Sequence, residues 1–143
     1  MNLLFIFFKK NYDKFAIAFI LAIASFFRLY MIKDYMTFLG DEGRDVLVVY
    51  EILHGNLTLL GPTASVGGFF LGPIYYYFMT PFLWFFNYDP VGPATMVALI
   101  GIATVWLIYK VGKEFFGSSV GLIAAGLYAI SPIVVTYSRS SWN

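Results

Sequence analysis

The densest group of chemistry-bearing residues in the chain is the hexapeptide Gly40-Asp41-Glu42-Gly43-Arg44-Asp45. A carboxylate close to apolar helices and lipid is partly desolvated, which raises its affinity for a proton and suits it to take one from a hydroxyl. Asp41 reads as such a general base. Arg44 adds a fixed positive charge one turn on, where a guanidinium could pair with a carboxylate to keep it ionised or clamp a phosphate through two N–H groups. Asp41, Glu42 and Asp45 could also ligate a divalent cation through oxygen, but carboxylates adjacent in sequence seldom converge without ligands from elsewhere, so no cofactor is expected. Other chemistries lack their residues. With no cysteine there is no thiolate or disulfide, and the single histidine, His54, cannot build an imidazole cluster.

The hexapeptide must be held by the residues directly after it, Val46-Leu47-Val48-Val49-Tyr50-Glu51-Ile52-Leu53, and the combination reads as a helix over about 43–54. Asp41 suits the N-cap, Glu42 and Asp45 suit the positive end of the helix, and Gly55 can close the far end after His54. Val46, Val49, Tyr50 and Leu53 form one apolar stripe, so the helix is expected to lie along a membrane with its carboxylates facing water. On this reading His54 is a helix-end residue. A second reading stands beside the catalytic one, in which Asp41 to Asp45 is only a capped, solvated surface segment. Asn56-Leu57-Thr58 also fits a glycosylation acceptor.

The surroundings of that helix follow from composition. The chain has 143 residues, 60% of them hydrophobic and 12% charged, with mean hydropathy +0.78, whereas soluble chains carry about 25% charged residues. A bilayer must be the solvent for much of it. A net charge of +1 leaves no basic field to hold nucleic acid. Spanning roughly 30 Å of hydrocarbon takes about 20 helical residues, and three runs qualify: about 15–32, 91–110 and 118–137. Arg28 lies close enough to the end of the first to reach the headgroups. The run Phe69 to Phe86 differs, since ten of its eighteen residues are aromatic and Pro73 and Pro81 interrupt it. Its Tyr75, Tyr76, Tyr77 and Trp84 suit the membrane interface, so a juxtamembrane helix over about 73–86 is expected, with Pro73 at its first position and a kink at Pro81. Lys9, Lys10, Lys14, Lys110 and Lys113 then all fall on the cytoplasmic side by the positive-inside rule. The expected fold is an all-α integral membrane protein, a multi-span helical bundle with juxtamembrane helices in the first outer loop. Its N-terminus would be cytoplasmic and its membrane the cell's inner or plasma membrane.

Taken in order, Asp41-Glu42 with Arg44, then Gly72-Pro73-Ile74-Tyr75-Tyr76-Tyr77, then Tyr109-Lys110-Val111-Gly112-Lys113-Glu114-Phe115-Phe116-Gly117, then Ser131-Pro132 and Tyr137-Ser138-Arg139 resemble a known family. It is that of the polyprenyl-phosphate-sugar-dependent membrane glycosyltransferases of the GT-C fold, in the branch holding protein O-mannosyltransferases and the lipid A aminoarabinose transferase. The resemblance implies an inverting transfer of a sugar from a polyprenyl phosphate to an acceptor hydroxyl on the outer face, with Asp41 as base and Glu42 its neighbour. Arg44, Tyr75 and Arg139 are the candidate substrate-binding residues. Members of the family are longer, so the chain is expected to represent the amino-terminal part. The competing class is a non-enzymatic helix-bundle subunit or a transporter piece. Against an ion-coupled carrier, no acidic residue falls mid-span.

Overall fold

A computed structural model describes residues 3–64 and 67–141, with side chains from residue 11 onward. Lys9 and Lys10, part of the orientation argument, therefore fall where only the backbone is described, and Trp142 and Asn143 lie outside the described residues. The regular structure of the described chain is helical: α1 (Leu3–Leu29), α2 (Ile32–Tyr35), α3 (Gly40–Leu53), α4 (Ile74–Phe85), α5 (Val91–Phe116), α6 (Ser118–Ile130) and α7 (Pro132–Tyr137). One antiparallel bridge, Thr63 with Phe70, pins the loop between α3 and α4. By length and composition, α5 is the one helix among the described residues that is long and apolar enough to cross a membrane.

The helices fall into two compact units. The first combines α1 with residues 99–136, and its core holds Ile17, Ala24, Val105, Tyr109, Ala125 and Ala129. Ala24, Ala125 and Ala129 are nearly fully buried, as small residues must be where two helix backbones approach closely. Gly112 and Gly121 let α5 and α6 touch backbone to backbone, since a Cβ on Gly121 would stand 2.7 Å from Lys113 N and Tyr109 O. Asp13 accepts from Lys113 Nζ, from Tyr109 OH at 3.2 Å and from Ser118 Oγ at 3.3 Å. Lys113 holds the Asp13 carboxyl down at about 2.

The structure adds a break to one expected run and corrects the placement of Arg28. The run 118–137 is not one helix: it breaks at Ser131, because Pro132 has no N–H to offer the Tyr128 carbonyl and its ring opposes continuation. Arg28 does not reach for headgroups but is fully buried. Its Nη1 donates to Ala129 O at 3.0 Å and its Nη2 to Tyr128 O at 3.4 Å. Both acceptors belong to the last turn of α6, whose carbonyls the break leaves without helical partners, at the negative end of the helix dipole. Freed carbonyls in apolar surroundings must be satisfied by a neighbouring element, and that requirement draws the guanidinium inward.

The second unit comprises residues 31–98 with the segment from 137 onward. Its core packs α3 on α4 through Val49, Ile52, Tyr76, Met79 and Leu83, joined by Met96. At only 12 residues, α4 is about 18 Å long, well short of roughly 30 Å of hydrocarbon. It runs on through Pro81, with Pro73 at its N-cap rather than inside its first turn. The start of α5 is capped by Asp89, which accepts from Val91 N at 2.9 Å and pairs with Lys33 at 2.9 Å.

Candidate functional site

The second unit holds every residue singled out for chemistry, and α3 determines how they are displayed. The helix begins at Gly40, so its N-cap is Leu39 and Asp41 already lies in the first turn, which corrects the assignment of Asp41 as cap. Glu42 does the capping instead, its Oε2 accepting from the Leu39 N–H at 3.0 Å. At the other end Gly55, at φ 96°, lets its own N–H reach Ile52 O at 3.1 Å and that of Asn56 reach Glu51 O at 3.0 Å. These paired bonds form a Schellman motif.

Between the caps the buried positions are Glu42, Asp45, Val49 and Ile52. Their spacing of three, four and three residues is one face of a helix. The expectation that the carboxylates face water therefore holds for Asp41 but not for Glu42 and Asp45, which share the face of Val49 and Ile52. Buried carboxylates need donors, and both have them. Glu42 Oε1 accepts from Ser140 Oγ at 3.0 Å. Asp45 Oδ1 accepts from Arg44 Nε at 3.0 Å, from Arg44 Nη2 at 2.9 Å and from Tyr76 OH at 3.1 Å. The remaining arm of the guanidinium, Nη1, donates to Asp41 Oδ1 at 3.0 Å.

Arg44 thus bridges a carboxylate that is 1% exposed and one that is 55% exposed, and the hydrogen bond to Asp45 is the main cause that raises its pKa. Tyr76 is pushed up to about 12, by burial first and the Asp45 charge second. Burial is also the first cause that raises Tyr75, ahead of the Asp45 and Glu42 charges. Both phenols stay protonated donors. Arg44 and Tyr76 also line a cavity of about 220 Å³ with Val48, Thr58, Leu60, Gly61, Thr63 and Phe70. Gly61 belongs there because any Cβ would collide with the Gly72 carbonyl.

The five residues named from sequence divide into three groups. Asp41 and Arg44 are in direct contact. Glu42 faces the other way along α3, toward Ser140. Tyr75 donates to the Ser141 carbonyl, and the Arg139 guanidinium lies 5.0 Å from the ring centre of Tyr35, so these two are engaged with the protein rather than converging on Asp41. Tyr76, expected as an interface anchor, is buried against Asp45. Sequence reasoning misses Tyr76 and Ser140 as members of the cluster, and misses that Asp45 is buried within it. The available signal was the stripe Glu42, Asp45, Val49, Ile52, which runs at helical spacing straight from carboxylates into core. His54 ends α3 and packs against Tyr50, the two rings tilted by 35° with centres 4.1 Å apart. Among the described residues no group of His, Asp and Glu is arranged to hold a metal.

The model of one protein family, dolichyl-phosphate-mannose-protein mannosyltransferase, matches residues 71–143. The match takes in α4 through α7 and the segment whose Ser140 bonds to Glu42 of α3; residues 40–45 precede it. No curated protein matches the chain, and no solved structure does.

Proposed function

Because the chain belongs to the dolichyl-phosphate-mannose-protein mannosyltransferase family, we propose that it serves a glycosyl transfer from a polyprenyl-phosphate sugar to an acceptor hydroxyl at the outer face of a cell membrane, with inversion and with Asp41 as general base. The observation that carries this reading is the pairing of an accessible carboxylate, Asp41, with a guanidinium that a buried carboxylate anchors. An ionised, reachable Asp41 takes the proton of the acceptor hydroxyl as its oxygen bonds to the anomeric carbon. The bond from that carbon to the phosphate oxygen breaks on the opposite face, and the polyprenyl phosphate leaves with the bonding electrons. The cavity beside Arg44, about 220 Å³, is smaller than the roughly 300–1,000 Å³ of drug-sized pockets and suits one sugar ring. The remaining guanidinium N–H groups of Arg44 and the Thr63 hydroxyl supply donors for ring hydroxyls. In the intact protein, Asp41→Asn should lower turnover by about 10² to 10⁴ with little change in donor binding. Near-normal turnover in Asp41→Asn, with a large loss in Glu42→Gln, would show that the base is assigned wrongly.

The membrane arrangement that goes with this reading has three crossings, by α1, by α5 and by α6 with α7, with the N-terminus in the cytoplasm and α4 lying at the outer interface. Two observations support it. Ser140 bonds to Glu42, which requires an even number of crossings between residues 42 and 140; α5 and α6–α7 give two, and a crossing α4 would make three. The first unit also exposes large apolar side chains such as Phe19, Phe26, Leu107, Ile123 and Leu127, a surface that lipid would cover. The chain has no cysteine, so single cysteines at Ser119 and Tyr137, both exposed, report topology directly. A membrane-impermeant maleimide on intact cells should label position 137 and spare 119. The reverse pattern would mean that α4 crosses.

A further inference from the structure

We propose that Asp45 is a positioning residue for the transfer: through Arg44 it fixes where the Asp41 carboxylate points, and the Tyr76 hydroxyl in turn fixes Asp45. This rests on the reading of Asp41 as base, and adds to it a residue two shells of hydrogen bonds deep.

The geometry is directional. Asp41 is more than half exposed, and an exposed aspartate on the first turn of a helix samples several rotamers. A single ion pair at a surface contributes little to ordering on its own, because two mobile side chains must be held for it. Here one partner is not mobile. Arg44 presents Nε and Nη2 together to Asp45 Oδ1, at 3.0 and 2.9 Å, so the plane of the guanidinium is set by a carboxylate that is itself fully buried. Nη1 then projects outward in a fixed direction and meets Asp41 Oδ1 at 3.0 Å. Asp45 is held from a different helix, because Tyr76 OH donates to the same Oδ1 from α4 at 3.1 Å. Tyr76 is buried and packs in the core with Val49 and Met79. Rigidity therefore passes from the α3–α4 core through Tyr76, Asp45 and Arg44 to the one carboxylate of the group that a substrate can reach. Groups that act on reacting atoms need such support, since a misplacement of about 1 Å can cost on the order of 10²-fold in rate.

The test is a double-mutant cycle in the intact protein, assayed with polyprenyl-phosphate mannose and read as kcat and donor KM. Asp45→Asn should lower kcat by roughly 10- to 100-fold and leave donor KM unchanged. Placed on Asp41→Asn it should lower kcat no further, because a residue that acts through Asp41 has nothing left to position. Tyr76→Phe keeps the buried ring and removes only the hydroxyl, so it folds even if Asp45→Asn does not. It should show a smaller kcat loss with the same lack of additivity, while Asp45→Glu restores part of the rate. Losses that multiply with that of Asp41→Asn would overturn the positioning role and leave the base intact. An Asp41→Asn variant with full turnover would instead overturn the base assignment, whatever Asp45→Asn does.

Discussion

Arg28 and Arg44 are two arginines in two units, and little in the sequence separates them: each follows an apolar or acidic stretch at one end of a helix. Arg28 is wholly buried and its partners are backbone carbonyls, Ala129 O and Tyr128 O. Arg44 is partly exposed and its partners are the carboxylates of Asp45 and Asp41. Among the described residues no carboxylate pairs with Arg28, and the positive charge is balanced by the dipole of a broken helix. The second unit balances charge with charge at Arg44 and leaves one of its two carboxylate partners, Asp41, accessible. A guanidinium among carbonyls is a structural tie, because its acceptors cannot exchange protons. A guanidinium between carboxylates sits among groups that can, which is what proton-transfer chemistry needs.

The largest effect that would break this contrast is loss of the tie at Arg28. Arg28→Met fills much of the same volume but leaves two carbonyls of α6 without donors, each costing roughly 1–3 kcal/mol. The intact protein in detergent should therefore lose on the order of 3 kcal/mol of stability, and the loss should be the same at every pH where the protein stays folded. Arg44→Met should cost less, about 2 kcal/mol by comparison with broken buried pairs, because Tyr76 still donates to Asp45 and Arg44 lies partly in water. Its signature is pH dependence: a stranded carboxylate can take up a proton, so the deficit against wild type should shrink as pH falls. Unfolding midpoints of both variants across pH check this, and a pH-dependent Arg28→Met deficit or a flat Arg44→Met deficit would dissolve the distinction.

The smallest expected effect concerns a charge in the first unit that is neither buried like Arg28 nor coupled to a reaction. Lys113 lowers Asp13 from 3.8 to about 2, so the folded state binds that proton less tightly than the unfolded chain. The contribution is complete above about pH 4 and is lost as pH falls toward 2. Lys113→Met should remove that acid-side dependence, so its deficit against wild type is present at neutral pH and vanishes as pH falls toward 2, and it should be the smallest of the three because the pair is largely open to solvent. An effect near that of Arg28→Met would mean that charge, rather than burial, sets the scale in this unit.

Much of the local structure was legible in the residues. Hydropathy and aromatic content separated the long apolar helices from the short α4, and Gly55 after His54 marked the end of α3, because each of these depends on neighbours within a turn or two. Asp41 and Arg44 were legible as a pair for the same reason, being three residues apart on one helix. The failures share the opposite property. Arg28 looked like a side chain near a helix end that would reach toward water, and its actual acceptor lies 101 residues away at Ala129. Asp45 looked like one more solvated acid, yet its partner Tyr76 lies 31 residues on, in α4, and Ser140, which meets Glu42, is 98 residues distant.

Composition and periodicity by themselves determined that the protein is helical, that one helix follows Gly40 and a short aromatic one follows Pro73, and that its chemistry must rest on carboxylates and arginine. Which carboxylate stays accessible and which are buried was decided only in three dimensions. On α3 the acids and the apolar residues overlap on one face, and a helix face can be turned toward core or water until another element covers it. The cover is α4 with Tyr76 and the chain segment with Ser140. Only once those donors are in place is burying Glu42 and Asp45 less costly than leaving Val49 and Ile52 in water, because a desolvated carboxylate is stable only with its hydrogen bonds made.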